Sequence, residues 1–510
     1  MKILVAALHV GYYRNLEPVM NELASRGHTL YLGSERHPSA LKGETIVDRI
    51  AARPNVTQGD VPRREKDSFF LMSKIRLALD YLRYLDPAYA ATSALRQRAV
   101  VRTATGVVWL LSRWPFSRVN GRRWLQRVLD RIDHAIEPSP AIEKFLDEQR
   151  PDVLLVTPLV GLVPSSQLDL LRSARARGIP TGVCVWSWDH LSSKAIIRDW
   201  PDRLFVWNDT QKGEAIDMHG IPASRIVVTG AQSFDLWFDR LPSRERSDFA
   251  KQVGLPDAPF VMWVCSALFP GSPSEAEFVM RWVEHLRAST DPRTRDVAVL
   301  IRPHPSRTKE WEGVDWARFG RTALWGGNPI DDQSRADYFD SLYHSSAVVG
   351  LNTSAFIEAG IVGRPVMAIL PEEFRANQEG TLHFRYLQTV GGGLLTTART
   401  LEEHVQQLSR MLIGPPSDVI ARQQRFVSAF VRPHGLAVSA TKVMADAIEE
   451  LALVTPDPLT QESGAIGRLG LTALRAIERS SYGRRFLLDQ REVQSKKRRA
   501  HEERRAVSWT

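Results

Sequence analysis

The sequence predicts an α/β protein of two domains, each a parallel sheet wrapped by helices. Three observations carry that prediction. At 510 residues the chain exceeds the size at which a single hydrophobic core keeps growing. Short apolar runs alternate with segments of helical length in two separate series, the pattern that builds parallel sheets. Between the series lies a polar stretch, residues 236–258, with two prolines and the run Ser243-Arg244-Glu245-Arg246-Ser247, which is expected to be a linker.

Taken in order, Ile3-Leu4-Val5-Ala6-Ala7-Leu8 is a short buried strand. It has no cleavage-like flank and is not read as a signal peptide. A helix over 15–26 stops at Gly27, and a strand over 29–32 follows. Residues 61–145 break the alternation: they are helical, basic and rich in aromatics, and are predicted to be an insertion in an N-terminal domain spanning 1–235. Strands at 152–157, 179–186, 203–207 and 225–229 complete that domain. The second series, at 259–265, 297–302, 322–325, 347–351, 366–370 and 394–396, defines a domain over 259–415. Closing helices are expected at 416–452. A basic extension over 453–510, with a helix near 465–480 and the tail Lys496-Lys497-Arg498-Arg499, is expected to be partly disordered.

A 43% hydrophobic and 25% charged composition belongs to a globular chain. No apolar run reaches the ~18 residues needed to cross a bilayer. Cys184 and Cys265 each lie in an apolar run and are expected in the core. Without a cysteine framework or export signal, a cytoplasmic location is expected. The charge is unevenly placed: residues 60–135 carry a net +8 and residues 484–510 a net +5, so the rest is slightly acidic. Two basic patches without a recognised module argue against nucleic acid as the partner. In the insertion, the run from Gly106 to Phe116 sets Trp109, Trp114 and Phe116 beside Arg113, as interfacial helices do. Peripheral contact of 61–145 with the inner face of a membrane is one reading; a solvated helix face over an aromatic core is the other.

The most informative stretch is 340–370: helix, strand, polar turn, helix, strand. Strand 347–351 ends in Asn352-Thr353-Ser354, which opens a helix, and Glu358 lies one turn further on. Free N–H groups at such a turn bind phosphate, and a carboxylate one turn away can hold a ribose hydroxyl; an ordinary capped helix would have the same sequence. Arg302-Pro303-His304-Pro305 follows an apolar strand, and the two prolines fix the loop and aim the imidazole. Asn377-Gln378-Glu379 follows the strand at 366–370, and Ser266 with Gly271 lies in the loop after the strand at 259–265. In the first domain, His9-Val10-Gly11 follows the first strand. Ser187-Trp188-Asp189-His190-Leu191-Ser192-Ser193-Lys194 gathers an acid, an imidazole, hydroxyls and an amine at another strand end. Thr229-Gly230-Ala231 ends the last strand.

In this order and spacing, the segments resemble the GT-B glycosyltransferase superfamily: two Rossmann-like domains facing a cleft, here with a helical insertion in the first. The Asn352–Glu358 unit is similar to the donor site of these enzymes and of UDP-N-acetylglucosamine 2-epimerases, although it lacks the Gly-Gly of the epimerase turn. The Arg302–Pro305 tetrapeptide resembles a loop of CDP-glycerol glycerophosphotransferases and capsule polysaccharide transferases. The resemblance implies that Asn352, Thr353, Ser354, Glu358, Arg302, Ser266, Gln378 and Glu379 bind the donor, with His304 facing its diphosphate. Across the cleft, His9, Asp189 and His190 join His304 as catalytic candidates, and Gly11, Lys194 and Gly230 are candidates for binding substrate or donor. His9 is a catalytic base or a packed polar residue; Asp189 is a base, an orienting group for His190, or a helix cap; Lys194 meets a phosphate or solvent. The expected activity is transfer of a sugar from a UDP- or other NDP-sugar co-substrate to a cell-envelope, polysaccharide or lipid-linked acceptor. Alternatives are a UDP-sugar 2-epimerase-like enzyme, a glycerophosphotransferase of the same fold, or a non-catalytic nucleotide-sugar-binding protein. No Asp-x-Asp motif occurs and the histidines are scattered, so no metal ligand is assigned, metal-independent chemistry is expected, and no bound cofactor is expected.

Overall fold

The structure, a computed structural model, describes residues 1–36, 44–159, 161, 164–457 and 464–495. The first sheet contains β1 (Lys2–His9), β2 (Thr29–Arg36), β3 (Val56–Asp60), β4 (Val153–Thr157), β5 (Thr181–Cys184), β6 (Arg203–Val206) and β7 (Ile226–Val228). They pair in parallel in the order β3-β2-β1-β4-β5-β6-β7. The second contains β8 (Phe260–Val264), β9 (Ala298–Arg302), β10 (Thr322–Leu324), β11 (Ala347–Gly350), β12 (Val366–Ile369) and β13 (Thr396–Ala398), ordered β10-β9-β8-β11-β12-β13.

Both sheets follow from strands that are apolar on each face, as buried parallel strands must be. Along β1, Leu4 and Ala6 enter one core while Ile3 and Val5 enter the core on the other face. Along β8, Phe260, Met262 and Val264 face one side and Val261 and Trp263 the other. In each sheet the strand order reverses beside its first strand, at β1/β4 and β8/β11. The carboxyl ends at such a reversal open a crevice. The loops after β1, β8, β9 and β11 are therefore the ones positioned for chemistry.

Several elements differ from the sequence expectation, each for a physical reason. β3 was not expected, because only Val56 of Val56–Asp60 is buried and the strand is an edge. β13 begins at Thr396, since Leu394 and Leu395 are core residues that precede the pairing with Met367–Ile369. The expected linker 236–258 contains a helix, Arg246–Val253, whose Phe249, Ala250 and Val253 are buried in the second domain's core. The first crossing between domains is therefore shorter than the expected linker.

The two expected closing helices part company. Ser417–Phe430 packs Phe426 and Phe430 into the second domain. Ala440–Leu451 returns to the first, where Met444, Ala445, Ile448 and Leu451 join Ile3 and Val5. Asp235 clasps both crossings: its carboxylate accepts from Arg432 at 2.8 and 3.0 Å, from the Ser439 hydroxyl at 2.9 Å and from the Thr441 N–H at 2.6 Å.

The insertion folds as helices over a buried ion network. Arg76 bridges Asp133 and Asp169 at 2.8–2.9 Å, and Arg172 joins Asp133 to Asp199. Part of the basic patch is therefore internal. The C-terminal extension is ordered through 464–495: Gly464–Arg479 lies along Val119–His134, with Gly470 so close to Ile132 that a Cβ would stand 2.7 Å from its side chain. The tail Lys496–Arg499 lies outside the described residues. Among the described residues no helix is long and apolar enough to cross a membrane.

Candidate active site

The carboxyl ends of β8, β9 and β11 enclose a cavity of about 330 Å³, lined among others by Arg302, His304, Tyr338, Thr353, Ser354 and Glu358, with Arg14 entering from the first domain. Glu358 is held by the Tyr338 hydroxyl, which donates to its carboxylate. Burial raises Glu358 to about 7, against the Tyr338 hydrogen bond and the charges of Arg14 and Arg302. Arg302 leaves β9 with its guanidinium 4.6 Å from the Tyr338 ring centre, and one nitrogen donates to the Gly327 carbonyl at 2.9 Å. Gly326 lies against that guanidinium at φ +110, where any side chain would collide with it.

His304 is half-buried, and the Ser306 N–H donates to its Nδ1 at 3.2 Å. Nδ1 is therefore an acceptor, and the neutral ring carries its proton on Nε2. Burial, followed by the Arg307 charge, lowers the His304 pKa. A neutral ring with Nε2–H can donate to a phosphate oxygen.

The turn after β11 is braced from below. The Asn352 N–H donates to the Ser266 hydroxyl at 3.1 Å, and the Ser266 N–H donates to buried Glu275 at 2.9 Å. Burial raises Glu275 to about 8. The Asn352 amide donates to the Asn377 carbonyl at 2.5 Å. The following helix, Ala355–Ile361, has seven residues, and Arg14 and Arg302 add two full positive charges to its partial terminal charge.

A second cavity of about 800 Å³ continues from the first through His304, Thr353 and Ser354. Its walls come from both domains: Trp186, Ser187, Trp188, Asp189 and Lys194 on one side, Phe269, Asn352, Asn377 and His383 on the other. Asp189 accepts from the Ser187 hydroxyl at 2.6 Å, the Ser193 hydroxyl at 2.7 Å and Lys194 at 2.8 Å. Burial alone would raise its pKa, but Lys194, His383 and these donors hold it well below the usual carboxylate range. In this arrangement Asp189 is a clamp and a poor base. Lys194 is spent on the same clamp.

Other sequence candidates lie elsewhere. His9 is half-buried and packs its ring 4.4 Å from Tyr12, which in turn packs on Trp186; the Gly11 N–H donates to His9 Nδ1 at 3.1 Å. His190 is fully buried behind Trp186. Gly230, at φ +88, faces Ala440 on the returning helix, where a Cβ would stand 2.7 Å from that residue's own, and has no place in the cleft lining. Gln378 is buried, and its amide donates to the carbonyls of Leu351 at 3.0 Å and Ile369 at 2.7 Å, tying the ends of β11 and β12. Glu379 pairs with Arg399 at 2.8 Å. Gly271 makes a positive-φ turn in the loop after β8.

Sequence reasoning missed Arg14, Tyr338, His383, Arg98, Arg102 and Arg491. Arg14 lies three residues beyond His9-Val10-Gly11, and its charge was the available signal. Tyr338 lies 20 residues before its partner Glu358, and nothing local marks it. His383 stands edge-on to Trp188 at 4.6 Å across the domain boundary; burial and the nearby cations, against Asp189, lower it to about 4.

Neither a protein-family model nor a curated protein matches the sequence. Solved structures do match in fold. The glycosyltransferase from Rickettsia africae ESF-5 is similar at a TM-score of 0.50 and 10% identity, covering 88% of this chain and 98% of that one. The S. aureus MnaA–UDP co-structure is similar at a TM-score of 0.50 and 12% identity, covering 90% and 99%. With its two parallel-sheet α/β domains facing a cleft, the chain has the GT-B fold.

Proposed function

We propose that the protein is a glycosyltransferase that takes a sugar from a nucleoside-diphosphate sugar, without a metal ion, and passes it to a sugar or lipid-linked acceptor. One observation carries the reading: a half-buried carboxylate, a buried guanidinium and an Nε2-protonated imidazole converge on a cavity that Arg14 of the opposite domain completes. Glu358 holds the ribose hydroxyls. Arg302, Arg14 and His304 take up the charge that develops on the departing diphosphate, the role that preorganised donors fill in a dry site. The S. aureus neighbour was solved with UDP, which makes UDP the first nucleotide to try.

A GT-B enzyme that rearranges the nucleotide sugar alone is the rival reading. The adjoining space of about 800 Å³ favours transfer, because it leaves room for an acceptor beside the donor sugar. The test is a thermal-shift and calorimetric titration with UDP, CDP and GDP, followed by turnover of the matching nucleotide sugar. Stabilisation by one nucleotide, with little sugar turnover until acceptor is added, is expected. Rapid isomerisation of the sugar nucleotide alone would establish the rival, and no nucleotide binding would end both.

A further inference from the structure

The insertion and the C-terminal extension together add a wall to the cleft that the two sheets do not need. The helix Ser93–Val100 and the residues after it bring Arg98 and Arg102 to the large cavity, and the extension brings Arg491 to the same place. The extension is strapped there: the Thr105 N–H donates to the Leu488 carbonyl at 2.9 Å, and Ala104 bridges Asp489. Three guanidinium groups therefore share one edge of the cleft. Burial, Arg491 and Arg98 together lower Arg102 to about 10, the response of a cation crowded by like charges. Arg98 is oriented by the Ser193 carbonyl, to which it donates.

From this edge a second groove of about 620 Å³ leads away, sharing Arg102 and Arg491 with the cleft; Phe69, Phe70 and Leu77 line it among charged side chains that include Arg63, Arg64, Lys66 and Lys74. Its acids are engaged: Lys74 takes Asp489 at 3.2 Å and also Glu492, and the Ser139 hydroxyl donates to Glu65 at 2.9 Å. The groove's apolar side chains thus adjoin a cluster of positive charge that lines the large cavity. The helix after Arg102 carries Trp109 at 56% exposure, and Trp114 beyond it is 81% exposed. Arg113 lies over the Trp109 ring at 5.2 Å. Exposed tryptophans beside arginines suit a lipid–water boundary, and they follow Arg102 on the same stretch of the insertion.

We propose that Arg98, Arg102 and Arg491 form a phosphate subsite on the acceptor side of the cleft, occupied by the head of a hydrocarbon-chain phosphate whose chain lies along Phe69, Phe70 and Leu77. The subsite rests on the transferase reading only in taking this molecule as the acceptor; its binding chemistry stands separately. Guanidinium clusters recognise phosphate through charge-assisted, often paired hydrogen bonds.

The test is calorimetric titration of the full chain with decyl phosphate below its micelle concentration, alongside decanol and inorganic phosphate, with UDP titrated on every sample. Decyl phosphate is expected to bind at least tenfold tighter than either control. Arg491→Gln, at an exposed side chain, and Arg102→Gln are each expected to weaken it about tenfold and leave UDP affinity unchanged. Phe70→Ser is expected to weaken decyl phosphate severalfold with no effect on inorganic phosphate. Equal binding of decanol would remove the phosphate subsite, and equal binding of inorganic phosphate would remove the chain groove. Displacement of decyl phosphate by UDP would reassign the arginines to the donor. Absence of decyl phosphate binding, or unchanged affinity in Arg491→Gln, would also overturn the proposal. Loss of UDP binding in Glu358→Gln, with decyl phosphate retained, tests the donor reading separately.

Discussion

Glu358 couples ligand binding to protonation. Its ordinary value is 4.5, and burial raises it to about 7 in the folded protein. The folded state therefore keeps a proton that the unfolded state has already released between these values. The associated stability is fully present below about pH 4.5 and is lost as the pH rises through 7. Glu358→Gln removes this dependence. Urea denaturation should show the variant gaining on the wild type by up to about 3 kcal/mol between pH 4.5 and 8. A pH-independent gap would mean that Glu358 titrates normally. With Glu358 as the proposed ribose site, the ionised carboxylate is the better acceptor, and wild-type nucleotide affinity should rise as the pH passes 7. The variant should bind roughly tenfold more weakly at pH 8. Gln378 makes the opposite prediction. Its amide serves the Leu351 and Ile369 carbonyls, so Gln378→Ala should cost about 2 kcal/mol of stability with nucleotide affinity unaltered. A selective loss of affinity would return Gln378 to the site.

At the scale of elements, Gly230 ends β7 at φ +88 with the returning helix Ala440–Leu451 packed against its α-carbon. Gly230→Ala imposes a disfavoured backbone conformation and a contact with Ala440, and should destabilise by roughly 1–3 kcal/mol. Chemical denaturation checks this, and a neutral outcome would mean the helix can retreat. The same element shows what sequence could and could not reveal. Buried parallel strands are continuous apolar runs, so β1, β4, β8, β9, β11 and β12 were legible with nearly their final limits. β3 has one buried residue in five, and its pairing comes from the neighbouring strand. Glu358, Arg302 and His304 were legible because each follows directly on such a strand or turn. Asp189 and Gln378 were singled out for their chemistry, but the partners that engage it, Lys194 and two carbonyls, were not legible locally. Tyr338, His383 and Arg491 reach the cleft only through tertiary folding, and their local sequence has no sign of it.

For the whole molecule, the decisive feature is that the chain crosses between domains twice and meets itself at Asp235. The first domain is completed only by Ala440–Leu451, which arrives after the second domain has been traversed. Closure of the cleft and completion of the first core are therefore linked through one carboxylate. Arg432 is buried and has Asp235 as its ion partner at 2.8 Å. Asp235→Ala leaves that guanidinium buried beside apolar groups and also removes the acceptor for Ser439 and for the Thr441 N–H. Loss of one member of a buried pair costs about 3–5 kcal/mol, more than an exposed pair would. The wild type should unfold in a single cooperative transition. The variant should lose stability by that amount, separate into two transitions, and bind nucleotide more weakly, since Arg14 and Glu358 belong to different domains yet share one cavity. Denaturation followed by tryptophan fluorescence, with UDP titration under native conditions, reads all three. A single transition displaced by less than about 1 kcal/mol would show that the packing of the returning helix, and not the Asp235 clasp, holds the two domains in register.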